Sequence, residues 1–224
     1  MAVGILHTEI VPIAWAFGLR NLIIPGRIPP IPVAGMPFDM ARNVICQHAL
    51  MAGAHAVFMY DSDVIPPRDT ILRLLAHKQP IVSGMYCRRS PPWSVPVAQK
   101  DFQWFTNFKM GGTYEVDLVG SGCLLLRREF LIDMAQRFPQ DRRRGKIWFD
   151  WKSDMPRREP HEPFDPNNPT ILPQEATSED FSMCQAARKH GYKVLLDTSI
   201  QCYHDGFAES TYGQYKPAEV RVLT

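Results

Sequence analysis

Several marks of specialised proteins are missing from this sequence. Its five cysteines, at positions 46, 87, 123, 184 and 202, are odd in number and show no paired spacing. That speaks against a disulfide framework and against the common zinc patterns, and it leaves small buried thiols of a reduced, intracellular protein. Long apolar runs are absent as well. The stretch 10–24 is apolar, but it contains Arg20 and Asn21 and falls short of the ~20 residues that span a bilayer. The first residues lack a basic segment and Glu9 interrupts the early apolar run, so neither a secretion signal nor a membrane span is expected, and the location reads as cytoplasmic. Charge of one sign is not in excess. A net charge of +2 gives no reason to expect an extended nucleic-acid or membrane surface. No repeat is visible, and no glycine-rich, lysine- or arginine-bearing phosphate loop appears between His7 and Arg20.

What is present suits a globular enzyme-sized chain. At 224 residues, 45% of them apolar, it can bury a substantial core, and one domain covering 1–224 is the economical reading. Twenty prolines are many, and they cluster in 25–37, 91–96 and 156–173, marking irregular excursions. Between these clusters the pattern alternates: a strand at 3–6, a helix at 11–22 with Ile13, Ala16, Phe17 and Arg20 on one side, and a short strand at 22–24. A helix from Phe38 with Asp39 as N-cap and Gly53 as its stop comes next, then a strand at 56–61, a helix after Pro67, and a strand at 81–86. The segment 25–37 is too proline-rich for a central strand. Further strands are predicted at 116–119, 123–126 and 193–197, with a helix capped by Ser178 and closed by Gly191. Strands alternating with helices predict an α/β fold, a Rossmann-like mixed sheet, mainly parallel, flanked by helices. The segment of about 141–175 is a long loop, usually functional in a compact domain, and 205–224 reads as a tail.

The chain is organised around Ala56-Val57-Phe58-Met59-Tyr60-Asp61-Ser62-Asp63, an apolar strand that ends in two carboxylates. In an extended segment Asp61 and Asp63 share a face. Two like charges ~6–7 Å apart repel by roughly 2–3 kcal/mol at an effective dielectric of ~20, which argues for a cation between or beyond them. Magnesium or manganese suits such oxygen ligands. Taken alone, the tripeptide reads more readily as a solvated turn. Glu179 and Asp180 are acids of a helix's first turn, favoured there without any function. His204 alone is an ordinary strand-end histidine, Gly120-Ser121-Gly122 alone a tight turn, and the paired and tripled arginines alone a solvated surface.

Taken in order, these pieces resemble the nucleotide-sugar-dependent glycosyltransferases of the GT-A fold, particularly the family 2-like group. The resemblance is carried by Asp61-Ser62-Asp63, by Val119-Gly120-Ser121-Gly122-Cys123-Leu124, by Ser178-Glu179-Asp180-Phe181, by His190-Gly191-Tyr192 and by His204, with the Arg42-Asn43 helix ahead of the acidic strand. It implies a metal-dependent transfer of a sugar from a nucleoside-diphosphate sugar, a UDP-sugar in the first instance, with Mn2+ or Mg2+ as cofactor. It implies Asp61, Asp63 and His204 at the metal, Asp180 as catalytic base and Glu179 orienting it or touching the acceptor. It also implies Thr8, Glu9 and Asp39 at the nucleobase, Arg42 at the phosphates, Ser62 among the nucleotide-sugar contacts, and Gly120 and Ser121 against the donor sugar. Trp148 and Trp151 are candidates for stacking on sugar faces, against simple packing under the long loop. The tail with Tyr212, Tyr215 and Lys216 is expected to close over the diphosphate.

The sequence departs from this family in two places. The nucleotide turn after the first strand is only approximated by residues 7–12, and the Gln-x-x-Arg-Trp block of processive polysaccharide synthases is absent, which favours single addition. A free carboxylate at Asp180 favours inversion, although retaining enzymes share the metal motif. A nucleotidyltransferase and a non-catalytic carbohydrate-binding module are the alternatives. The acceptor, whether glycan, small molecule or modified nucleic acid, stays open.

Overall fold

The computed structural model describes residues 1–7, 10–26, 28–89, 95–137, 147–151 and 177–204. In chain order the elements are β1 (Ala2–Leu6), α1 (Ile13–Asn21), β2 (Ile31–Val33), α2 (Phe38–Met51), β3 (Ala56–Asp61), β4 (Val64–Ile65), α3 (Thr70–Ala76), β5 (Ile81–Met85), β6 (Ala98–Lys100), β7 (Gln103–Trp104), β8 (Thr113–Val116), β9 (Leu118–Val119), β10 (Cys123–Arg127), α4 (Arg128–Arg137), α5 (Glu179–Lys189), β11 (Val194–Gln201) and β12 (Tyr203–His204). The central sheet has seven strands in the order β2-β1-β3-β10-β5-β11-β8. β1 pairs in parallel with β2 and β3, and β5 with β11, while β10 runs antiparallel between β3 and β5 and β8 runs antiparallel at one edge. This is the mixed, Rossmann-like α/β sheet that the alternation of patterns predicts.

Strand β3 shows why its sequence is a continuous apolar run. Val57 and Met59 face a cluster with Ala41, Ile45 and Ala49 of α2, Phe130 of α4 and Met183 of α5. Phe58 and Tyr60 face the opposite cluster with Trp15 of α1 and Ile71 and Leu74 of α3. Both faces are covered, so neither set of alternating positions is polar.

The structure corrects several local expectations. The proline-rich segment does contain a strand, β2, at the sheet edge, where a residue without an N–H is tolerated. No strand forms at 22–24. Helix α1 is shorter than predicted and turns another face inward: Trp15 is buried, whereas Ile13 and Phe17 are 73% and 54% exposed. The Trp15 ring stacks on Tyr60 with centroids 5.0 Å apart, and a ring of that size decides which face is buried. Pro37, not Asp39, is the N-cap of α2. The strand expected at 116–119 is divided at Asp117 between β8 and β9, which lie in different sheets. The final strand runs on to Gln201 through a register shift after Asp197.

β3, β5 and β11 end, and antiparallel β10 begins, at one edge of the sheet. That edge is where open α/β sheets receive ligands. The tail 205–224, including Tyr212, Tyr215 and Lys216, and most of the segment 141–175 lie outside the described residues. Among the described residues no helix is long and apolar enough to cross a membrane.

Candidate functional site

The strand ends at Asp61, and the period-two alternation ends with it, because residues 62 and 63 turn toward β4. The two carboxylates therefore do not act as one pair; each faces its own cation. Asp61 accepts two bonds from Arg42, Nη1 to Oδ1 at 2.9 Å and Nη2 to Oδ2 at 3.0 Å. The third arm of the same guanidinium, Nε, donates to Glu179 Oε1 at 3.2 Å. Arg42 is 4% exposed, so α2 holds one buried cation between acids contributed by β3 and by the first turn of α5. Burial alone would lower the affinity of Arg42 for its proton, but Asp61 and Glu179 hold it far above the ordinary range. Three of the five N–H donors of Arg42 thus go to two carboxylates, and the residue also lines the adjoining cavity.

His204 reaches the site through a two-residue ribbon. β12 pairs antiparallel with β4, placing His204 opposite Val64 and hence beside Asp63. Its Nδ1 lies 2.7 Å from the Cys87 carbonyl oxygen and its Nε2 3.7 Å from Asp63 Oδ1. A carbonyl accepts only, so the Nδ1 proton points there and Nε2 turns to the carboxylate. Backbone-fixed tautomers of this kind are usual for metal-binding histidines. The other oxygen of Asp63 is ion-paired with Arg89. Burial would raise the Asp63 carboxyl, yet His204 and Arg89 together hold it below its usual value.

Asp180 Oδ1 accepts from the Phe181 backbone N–H at 2.8 Å and from the Ser178 hydroxyl. Ser178 stands at the N-cap position of α5, but its hydroxyl caps no backbone group and turns to Asp180 instead. Burial raises the Asp180 carboxyl above its ordinary value against the pull of Ser178 and Arg42; burial and the Asp180 charge raise Glu179 as well.

Beside these groups lies a cavity of about 1080 Å³, walled by Leu6 and His7, residues 34–38, Asp61-Ser62-Asp63, Arg42, Glu179 and Trp151. Its volume exceeds what a single sugar fills and suits a larger, partly polar ligand.

Other predicted residues stand elsewhere. Trp148 is 5% exposed and donates Nε1 to the Leu131 carbonyl at 2.8 Å, so it is a core residue with no open face for a sugar; Trp151, 51% exposed, is the tryptophan at the cavity. Asp39 is buried in the first turn of α2 and does not line the cavity. Gly120 lacks a side chain for Tyr86 rather than for a ligand. A Cβ there would sit 2.1 Å from the Tyr86 hydroxyl oxygen, which accepts from the Gly122 N–H at 2.9 Å. The Tyr86 ring in turn stands edge-on to His204 with centroids 5.3 Å apart, so the glycine segment supports the imidazole indirectly. Ser121 is buried, and its hydroxyl has no hydrogen-bond partner among the described residues. Thr8 and Glu9 lie outside the described residues.

With both Asp61 oxygens on Arg42, the expected metal trio reduces to Asp63 and His204. Among the described residues no group of three or more His, Cys, Asp or Glu could hold a metal ion. Residue pattern alone missed Tyr86, Arg89 and the structural role of Asn43. Asn43 Oδ1 accepts from the N–H groups of Ile147, Trp148 and Phe149, and its Nδ2 donates to the carbonyls of Asp39 and Phe149. That clamp ties the segment bearing Trp151 to α2. Its signal in the sequence was faint, because the buried face of α2 carries Asp39 and Arg42 beside it as well as apolar residues.

No protein-family model matches this chain, and no curated protein does. Among solved structures, the chain is similar to A197 from STIV, with a TM-score of 0.56 at 15% identity over 93% of this chain and 86% of that one. It is weakly similar to apo UDP-glucose pyrophosphorylase, with a TM-score of 0.36 at 11% identity over 77% of this chain and 56% of that one. At these identities the likeness to A197 establishes the fold alone.

Proposed function

We propose that this protein is a metal-dependent glycosyltransferase that moves a sugar from a nucleoside-diphosphate sugar, a UDP-sugar in the first instance, to an acceptor hydroxyl. One observation carries the reading. Acids and a histidine scattered along the chain at 61–63, 179–180 and 204 come together at the carboxyl edge of the sheet: Asp61, Asp63 and Glu179 line one large cavity there, His204 stands behind Asp63, and Asp180 lies within electrostatic reach of Arg42 and Asp61.

Asp63 and His204 are the residues that would hold Mn2+ or Mg2+. One carboxylate and one imidazole fit a cation that takes its remaining ligands from diphosphate oxygens and water. Bound there, the ion would supply positive charge to the departing diphosphate. Arg42 ties Asp61 and Glu179 to one guanidinium and so holds two acids of the cavity wall in fixed positions. Asp180 is the proposed base. As the acceptor oxygen attacks the anomeric carbon, the bond from that carbon to the diphosphate oxygen breaks, and the hydroxyl proton passes to the Asp180 carboxylate. A carboxyl raised by burial is better matched to that task than one at its ordinary value. Direct displacement inverts the anomeric centre. Trp151 offers an exposed ring to the ligand at the cavity mouth.

A panel of nucleotide sugars with and without Mn2+, followed by thermal shift and by release of nucleoside diphosphate, tests the proposal. The expected result is a metal-dependent melting shift with one nucleotide class, and diphosphate release that disappears in Asp63→Ala. Release of pyrophosphate would point to a nucleotidyltransferase. No shift with any nucleotide and metal would end the enzymatic reading.

A further inference from the structure

The two carboxylates of the acidic motif are each neutralised by an arginine, but the two arginines are built differently. Arg42 is 4% exposed and grips Asp61 with two nitrogens while holding Glu179 with the third. Arg89 is 42% exposed and meets one oxygen of a carboxylate that is itself 38% exposed. The two residues before Arg89 are held by backbone contacts. The Arg88 N–H donates to Val95 O at 2.9 Å, Cys87 bridges Pro96, and the Cys87 carbonyl receives His204. The Arg88 guanidinium stacks over Trp104, 4.1 Å from the ring centroid, so it is turned away to another partner. Arg89 alone of this pair reaches the acidic motif, through a side chain that is itself 42% exposed.

We infer that Arg89 is a resident counter-ion for Asp63 that yields its place to the divalent ion and passes to the diphosphate of the donor. This rests on the reading above. An exposed ion pair on one carboxylate oxygen is weak enough to exchange, whereas a buried bidentate pair is not. When Asp63 turns its oxygens to a cation, the guanidinium loses its partner beside a newly bound diphosphate, and its planar fork suits phosphate oxygens. Arg89 thereby discourages metal binding without donor and favours binding of both together.

Isothermal titration of wild type, Arg89→Gln and Arg89→Lys separates the possibilities, with Mn2+ alone in one series and uridine diphosphate at saturating Mn2+ in the other. The substitutions are at an exposed side chain, and melting curves check that the variants are folded. Arg89→Gln is expected to bind Mn2+ alone roughly two- to fivefold more tightly, the contribution of an exposed ion pair. It is expected to bind uridine diphosphate roughly tenfold or more weakly, the loss of a charge-assisted bond. Arg89→Lys should keep the wild-type Mn2+ affinity and lose part of the diphosphate affinity. Opposite signs in one variant are not produced by a merely structural residue. Mn2+ affinity unchanged or weakened in Arg89→Gln, or unchanged diphosphate affinity, overturns the exchange while leaving the metal site intact. Wild type that binds neither Mn2+ nor the diphosphate with it overturns the functional reading and the exchange together.

Discussion

Replacing Arg42 with methionine strands two acids at once. Asp61 loses its bonds at 2.9 and 3.0 Å, and Glu179 loses one at 3.2 Å. Their side chains are 24% and 6% exposed, so water can rescue Asp61 in part and Glu179 hardly at all. Removing one partner of a buried pair costs about 3–5 kcal/mol. Discounting the Asp61 side for its exposure keeps the sum near the lower end, about 3 kcal/mol, a large share of the ~5–15 kcal/mol that stabilises a typical domain. For a chain of this size that corresponds to a fall in Tm of roughly 6–12 °C. Urea unfolding followed by tryptophan fluorescence, in EDTA so that no metal intervenes, measures it as a lower midpoint at unchanged slope. Two controls isolate the charge. The loss in Arg42→Met should shrink between pH 7 and pH 5, because a stranded Glu179 escapes its cost by protonation, and the triple variant Arg42→Met, Asp61→Asn, Glu179→Gln should recover most of the stability. A loss below about 1 kcal/mol, or one that is the same at both pH values, would refute the electrostatic account and leave only lost packing of the arginine stem.

Asp180→Asn keeps the acceptor oxygen for Ser178 and Phe181 but cannot take a proton, so turnover should fall by roughly 10²–10⁴-fold. Because burial raises Asp180 and Glu179, the folded state binds more protons than the unfolded chain from the ordinary carboxylate value up to the raised one; this contribution to stability is full below that window and lost as pH rises through it. Asp180→Asn should therefore melt no lower than wild type at pH 7, with the difference vanishing near pH 4, as read by calorimetry. Gly120→Ala drives a methyl to within 2.1 Å of the Tyr86 hydroxyl oxygen, and overpacking of this kind costs ~1–3 kcal/mol; adding Tyr86→Phe should return part of it in a denaturation cycle. Trp148→Phe should lower stability and leave nucleotide affinity alone, whereas Trp151→Ala should weaken nucleotide binding at unchanged Tm; the reverse pairing would contradict the placement of the two rings.

The alternation of apolar strands with amphipathic helices was enough to define a mixed α/β sheet, because burial on both faces of β3 or β10 leaves no polar position and the pattern is local. The helix from Phe38 to Met51 and its glycine stop were legible for the same reason. Which face of α1 turns inward was not, since Trp15 is drawn in by Tyr60, a residue 45 positions away in the sequence. The candidate site divides along the same line. Its residue types and order could be picked out along the chain, and Asp61, Asp63, Glu179, Asp180 and His204 do gather at one edge. What each carboxylate faces is decided by tertiary pairing: the β4–β12 ribbon brings His204 to Asp63, α2 delivers a buried Arg42 to Asp61, and Tyr86 takes the space left by Gly120. Charge partners depend on distances across the fold, and no spacing along the chain encodes them.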